Sequence, residues 1–440
     1  MYPKLSLVLM LLWTILLPQT GFSDDWPQWG GPQHDLVWRE KGIVKELPTK
    51  GQLPRVWSTP IGEGYSGPAV AEVDSRWCVF VTDRIYKQRV GFERVHCLDA
   101  VTGKLIWGYE YPAEYTVSYP AGPRSTPVIN DGRVYTLGAQ GHFFCFDAKT
   151  GKVLWSKNFV ADYGTKLPNW GMVASPLVDG DQLITLVGGQ QNALVVSFDK
   201  KTGKELWRSL NDPAVGYAPP VIFEFGGKRE LIVWHPTAVS ALEPETGKVI
   251  WQVPYGVKYG LTIATPRKVG NRLFVASFYN GPRMIEVSDD GSSAKIVWAG
   301  KSDSEINTDG LHPIMMTPVF DGKNIYGVGS YGELRGLDAS NGQRLWETLA
   351  ATGKGRWWNA FIIPHEDRYF LHNEQGDLII AKLSPKGYEE LSRAKLIEPT
   401  RRVQRRMTIW SHPAFALKSV FARNDKEIIR VDLSAPSAGN

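Results

Sequence analysis

Apolar residues in this chain come in short strand-like runs, and a proline opens most of them. The runs begin at Gly67-Pro68-Ala69-Val70, Thr126-Pro127-Val128-Ile129, Ser175-Pro176-Leu177-Val178, Pro219-Pro220-Val221-Ile222, Thr265-Pro266 and Thr317-Pro318-Val319-Phe320. Looser versions stand at Ala360-Phe361-Ile362-Ile363-Pro364 and His412-Pro413-Ala414-Phe415. Proline is tolerated at the first residue of a strand, where no ladder donor is missed. These starts predict eight strand groups, each opened in the same way.

The first six groups each lead on to a tryptophan, most of them through a polar turn. Asp99-Ala100-Val101-Thr102-Gly103-Lys104-Leu105-Ile106-Trp107 recurs as Asp147-Ala148-Lys149-Thr150-Gly151-Lys152-Val153-Leu154-Trp155. It recurs again from Asp199 to Trp207 and from Glu243 to Trp251, more weakly from Asp338 to Trp346, and only its end survives at Lys295-Ile296-Val297-Trp298. The tryptophans from Trp107 to Trp346 are spaced 48, 52, 44, 47 and 48 residues apart. Such a period, with strand-like runs, predicts the four-stranded blades of a β-propeller rather than helical repeats. Aspartate can cap the backbone N–H groups of the turn, and glycine can take the positive φ a tight hairpin needs. One Trp per blade is expected to fill the gap to the next blade, its indole N–H on a backbone carbonyl. That role is assigned to Trp57, Trp107, Trp155, Trp207, Trp251, Trp298 and Trp346.

The two ends predict ring closure. The last repeat stops at Ile428–Leu433 with no turn and no Trp after it, while Arg55-Val56-Trp57-Ser58 is a Trp strand with nothing before it. The expected fold is therefore all-β: an eight-bladed β-propeller of four-stranded antiparallel blades, the last blade closed by an N-terminal strand. Closure removes the open sheet edge. The expected organisation is a secretory signal peptide over 1–23, cleaved near Ser23, an extended segment over 24–54, and one propeller domain over 55–440. The leader reading rests on the apolar stretch Leu5–Leu17, too short to span a bilayer.

Composition adds little beyond this. At 440 residues and 43% apolar content the chain can build a large core, and 50 Lys+Arg against 45 Asp+Glu leave no whole-chain nucleic-acid footprint. The three cysteines are expected to be free and buried. Aligning Val95–Asp99 with Phe143–Asp147 sets Val79, not Cys78, opposite Cys97, which turns Cys78 to the other face.

The Asp-x-x-Thr-Gly-Lys-x-x-Trp repeat resembles that of the pyrroloquinoline-quinone (PQQ) propeller family, over roughly Trp57 to Leu433. The segment Asp25-Trp26-Pro27-Gln28-Trp29-Gly30-Gly31 is similar to the one that opens quinoprotein dehydrogenases. The family divides into PQQ-dependent dehydrogenases and non-enzymatic members that include BamB-like proteins of outer-membrane assembly. The resemblance to the dehydrogenases implies a vicinal Cys-Cys disulfide and a calcium ion held by Glu, Asn and Asp. This chain has no adjacent Cys pair.

Function follows from the mouth, where the loops entering the inner strands gather. They carry Arg124, Trp170, His312, Arg356, Trp357, Trp358, Arg405, Arg406 and Trp410. Flat aromatics beside arginines suit a planar or anionic ligand, through stacking and bidentate hydrogen bonds. Asp303–Gly310 alternates oxygen-bearing residues, but the twelfth position counted from Glu305 is Met316, where a calcium loop needs Glu, so a polar turn is the expectation. No metal site is expected. The reading is an exported, monomeric, non-catalytic scaffold that binds a protein or a small anionic or planar ligand at its mouth, without cofactor, nucleic acid or membrane span. The alternative is a PQQ-dependent alcohol or sugar dehydrogenase with calcium.

Overall fold

A computed structural model describes residues 25–436. The leader expected over Met1–Ser23 lies outside the described residues. Eight four-stranded antiparallel sheets, here blades 1 to 8, follow one another along the chain. Blade 1 runs through Ala69–Val73, Arg76–Lys87, Val90–Asp99 and Leu105–Pro112, and blade 4 through Val221–Phe225, Lys228–His235, Ala238–Leu242 and Val249–Pro254. In blade 8, Ala414–Ala416, Ser419–Arg423 and Glu427–Asp432 are completed by Trp57–Pro60, with Trp57 opposite Arg430 and Pro60 opposite Glu427. The N-terminal strand thus closes the last blade, as its unpartnered Trp predicted. The first strands of neighbouring blades meet around the axis.

The turn motif works as its chemistry suggests. Asp147 Oδ1 accepts hydrogen bonds from the Thr150 N–H (2.8 Å) and the Thr150 hydroxyl (2.7 Å), and the Gly151 N–H returns to the Asp147 carbonyl at 2.9 Å. Gly151 has φ +73°, and a Cβ there would stand 2.6 Å from the ring of Trp107 in the preceding blade. Glycine is therefore demanded twice, by the left-handed turn and by the indole lying on it. The indole N–H of Trp107 reaches the Ala148 carbonyl at 2.8 Å. Trp57 repeats this on Ala100 (3.0 Å), Trp155 on Lys200 (3.2 Å), Trp298 on Ala339 (3.0 Å) and Trp346 on Ser384 (2.8 Å). The docking tryptophans are not equally covered. Trp57, Trp107 and Trp251 are buried, whereas Trp155, Trp207, Trp298 and Trp346 keep an exposed edge.

Trp251 is the exception in partner. Blade 5 lacks the full motif, and its turn is built on Asp290, which bonds Ser288 and Ser292. The Trp251 indole instead donates to Glu230 Oε2 of its own blade at 2.8 Å. Glu230 is fully buried against this junction, where a Cβ on Gly291 would meet its Oε1 at 2.6 Å. Burial pushes its carboxyl up to about 7, against the opposing pull of the Trp251 hydrogen bond.

The segment before blade 1 crosses the axis. Trp26 bridges Val70 of blade 1, and the Pro27 carbonyl accepts from Ile129 of blade 2. The Trp29 indole donates to Thr265 Oγ1 at 2.9 Å, and Arg267 of blade 5 holds the carbonyls of His34 and Asp35. Trp38 then joins Pro364 of blade 7, and Val44 joins Leu433 of blade 8. The segment touches inner strands on several sides, so it plugs the ring rather than trailing from it.

One sequence expectation needs correction. Cys78, Cys97 and Cys145 are free and buried, but Cys97 lies opposite Phe80, and Cys78 opposite Asp99. Cys78 and Cys97 are therefore diagonal neighbours on the same face. Aligning two repeats was one residue out, and a one-residue slip reverses the face.

Two measurements test this account. Trp107→Ala is expected to cost about 3–5 kcal/mol of unfolding free energy, and Gly151→Ala at least the ~1–2 kcal/mol of a left-handed alanine; wild-type denaturation curves for both would refute Trp-on-turn docking. Glu230 sets a pH dependence. The folded chain holds a proton that the unfolded chain has released between the ordinary 4.5 and about 7, so stability should fall as pH rises through that window, by on the order of 2–3 kcal/mol. Glu230→Gln should remove that part of the slope, which urea titrations at pH 4.5 and 8 would read.

Candidate functional site

The mouth holds a cup of about 220 Å³. Its floor is Trp29 of the crossing segment, and its inner ring is formed by residues at the starts of the inner strands, among them Gly67, Ser175, Pro219 and His412. Each of these four immediately precedes a strand-opening proline. The proline steers its neighbour toward extended backbone, and that neighbour faces the axis. The Thr126 N–H donates to Ser175 Oγ (3.1 Å), and the Thr265 N–H to Thr317 Oγ1 (3.1 Å), linking successive hub positions.

The wall comes from the interblade loops and from one blade 5 hairpin. Tyr65, Tyr119, Trp170, Tyr217, Phe278, Tyr279, Trp357 and Trp410 supply most of it. The rings brace one another edge-on: Trp170 with Tyr217 at 5.8 Å between centroids, and Tyr119 with Trp357 at 6.0 Å. Tyr119 and Trp357 both sit at positive φ, +54° and +68°. Left-handed backbone is costly for a residue with a side chain and persists only where the surroundings impose it. At Trp357 the N–H is tied to the Ser330 carbonyl at 2.9 Å. Among the described residues, no Asp, Glu, Asn or Gln lines the cup.

The predicted site residues divide. Arg124, Trp170, Trp357 and Trp410 line the cup. His312 does not: it is fully buried behind the wall, its Nδ1 3.1 Å from the Phe278 carbonyl. Trp358 is buried too, beneath Gly353 and Gly355, and serves as loop core. Arg356 lies beside the cup over the Trp357 ring (4.7 Å), but its guanidinium is paired with Glu305 at 2.8 Å. Arg406, in the hairpin Arg401–Val403 and Arg406–Thr408, is paired with the buried Glu374, which also accepts the Trp410 indole N–H at 2.9 Å. Burial raises the Glu374 carboxyl, and the Arg406 and Trp410 hydrogen bonds pull it back. Arg405 is exposed at the hairpin tip and does not line the cup. The expected cationic mouth is thus largely neutralised by carboxylates that sequence spacing does not bring near.

Arg124 is different. Its guanidinium donates to the carbonyls of Gly122 (2.5 Å), Ser118 (2.9 Å) and Tyr119 (2.6 Å), and no carboxylate forms a salt bridge with it among the described residues. Asp303–Gly310 is a polar turn whose acids have protein partners: Asp303 takes Asn280 (3.2 Å), Glu305 takes Arg356, and Asp309 takes the Lys301 N–H (2.7 Å).

Sequence reading missed Trp29, Tyr65, Tyr119, Tyr217, Phe278 and His412 as lining. Position before a strand-opening proline was the available signal for His412. The tyrosines carried no comparable mark.

No curated protein matches the chain by sequence. Among solved structures, it is similar to BamB from Moraxella catarrhalis, at 16% identity over 88% of this chain and 99% of that one, with a TM-score of 0.56. It is also similar to the quinohemoprotein alcohol dehydrogenase ADHIIG from Pseudomonas putida HK5, at 13% identity over 95% and 81%, with a TM-score of 0.59. The corresponding enzyme from Comamonas testosteroni gives 14% identity over 95% and 82%, with a TM-score of 0.61. At such identities the likeness is one of fold. A family model described as outer membrane protein assembly factor BamB matches residues 91–347 and 235–437, so the chain belongs to that family of PQQ-like repeat propellers.

Proposed function

We propose that this chain is an exported, monomeric, non-catalytic scaffold that holds an apolar or planar group of a partner at its mouth, in the service of cell-envelope or outer-membrane protein assembly. The observation that carries the reading is the lining of the cup: aromatic and aliphatic walls, one guanidinium, and no carboxylate or carboxamide. Burying a large flat group there gains apolar contact and ring stacking. The one imidazole in the lining, His412, is driven down to about 3 by burial, with His372 adding to the fall, so it is no proton acceptor of ordinary strength.

The quinoprotein alternative asks for other residues. The calcium and quinone that the resemblance implies need Glu, Asn and Asp ligands and a vicinal disulfide. The cup presents no such ligand, and Cys78, Cys97 and Cys145 lie within blades 1 and 2. These residues do not fit the group, and no redox chemistry is assigned to them. No helix among the described residues is long and apolar enough to cross a membrane.

A neutral probe tests the reading. N-phenyl-1-naphthylamine should bind at one site per chain, with enhanced fluorescence. The double variant Trp170→Ala, Trp357→Ala should weaken it at least ~10-fold, since each stacked ring contributes about 0.5–1.5 kcal/mol beyond its area, while the melting temperature stays near wild type. Retention of one equivalent of PQQ with calcium, together with alcohol-dependent dye reduction, would overturn the proposal in favour of an enzyme.

A further inference from the structure

The cup is not uniform around its axis. On one arc, blades 2 to 6 and their loops present Trp170, Tyr217, Leu261, Ile263, Phe278 and Ile314, an apolar wall. The facing arc comes from the chain entering blades 1, 2 and 8 and contributes Tyr65, Arg124 and His412. Three features of this arc point to a ligand group. Arg124 carries a charge with no carboxylate at ion-pair distance among the described residues, its guanidinium held only by backbone carbonyls. The Tyr65 hydroxyl is buried without a partner there, and so is His412 Nε2 on a side chain only 5% exposed.

The acids of this arc are otherwise engaged. Asp425 is paired with Arg401 at 2.8 Å, and Glu63 lies 3.6 Å from the same guanidinium. Glu93 accepts the hydroxyls of Tyr111 and Tyr115 and the Ala139 N–H. Arg124 and Arg401 each lie 5.1 Å from the centroid of the Tyr65 ring. Burial holds the phenol protonated, so it can donate.

Building on the mouth-binding reading, we infer that the cup is selective for a single carboxylate carried on an apolar body, the carboxylate bound by Arg124 and Tyr65 and the body lying on the aromatic arc. A guanidinium and a phenol O–H supply donors of the kind a carboxylate accepts. Where the body is a peptide, the unpartnered His412 Nε2 can accept one of its backbone N–H groups. The chemistry is shared by free arylalkanoic acids and by the C-terminus of a peptide that ends in an aromatic residue.

The test uses the full chain and four probes: 6-phenylhexanoate, its primary amide, and a pentapeptide ending in phenylalanine with a free or an amidated C-terminus. Isothermal titration and displacement of N-phenyl-1-naphthylamine read affinity. At least one acid should bind about 10- to 100-fold tighter than its amide, the size of a charge-assisted hydrogen bond. Arg124→Gln should erase that ratio while leaving amide binding within about threefold. Tyr65→Phe, which removes only the hydroxyl, should reduce the ratio without changing the melting temperature, and so guards against misfolding of the Arg124 variant. Preference for the free acid over the peptide, or the reverse, supports the inference and identifies the source. Equal binding of acids and amides, insensitive to Arg124 and Tyr65, overturns it while leaving the mouth-binding reading intact. Failure of all four probes together with N-phenyl-1-naphthylamine overturns both.

Discussion

Everything in this structure depends on an indole lying on a glycine turn. Seven of the eight outer strands carry a Trp that reaches toward the next blade, and for Trp57, Trp107, Trp155, Trp207 and Trp298 that blade offers a left-handed glycine against the ring and a carbonyl beside it. Trp107 over Gly151, with its N–H on Ala148, is the pattern. A sheet with an exposed face cannot stand alone, and this contact couples most of the sheets to their neighbours without a shared strand. Trp57 on Ala100 is the same contact made by the closing strand, so the joint that seals the ring is chemically identical to those within it. At blade 5, whose turn is built on Asp290 instead, the Trp251 indole is held by the buried carboxyl of Glu230.

Closure makes the mouth possible. Eight inner strands around one axis leave a central space, and the segment from Trp26 to Val44 crosses it and bonds to blades on several sides. Trp29 turns that space into a cup with a floor. The wall is assembled from loops of different blades, and two of its rings sit on backbone that strongly disfavours side chains. Strain held at such positions shows that the surroundings specify where those rings stand.

The electrostatics of the mouth follow from who reaches whom. Arg356 meets Glu305 and Arg406 meets Glu374 across gaps of 51 and 32 residues. These pairs stiffen the loops and cancel the charge that made them look like anion sites. Arg124 alone among the cup residues keeps its charge, satisfied only by carbonyl dipoles. A mostly apolar cup with one such cation differs in chemistry from the cationic mouth that counting arginines suggests.

The sequence by itself determined the blade count, the turn chemistry, the docking tryptophans and the closing strand, because each is written in local spacing: Asp to Gly to Trp within one hairpin, repeated at a period near 48 residues. It also placed Arg124, Trp170, Trp357 and Trp410 at the mouth, since loops between outer and inner strands have only one place to go. Tertiary structure decided the rest. It paired Arg356 and Arg406 with distant acids, buried His312 and Trp358, turned Cys78 toward Cys97, and brought Trp29 up as the floor. Those outcomes depend on contacts between residues far apart in the chain, and on a strand register in which a one-residue shift reverses a face. A repeat pattern specifies neither.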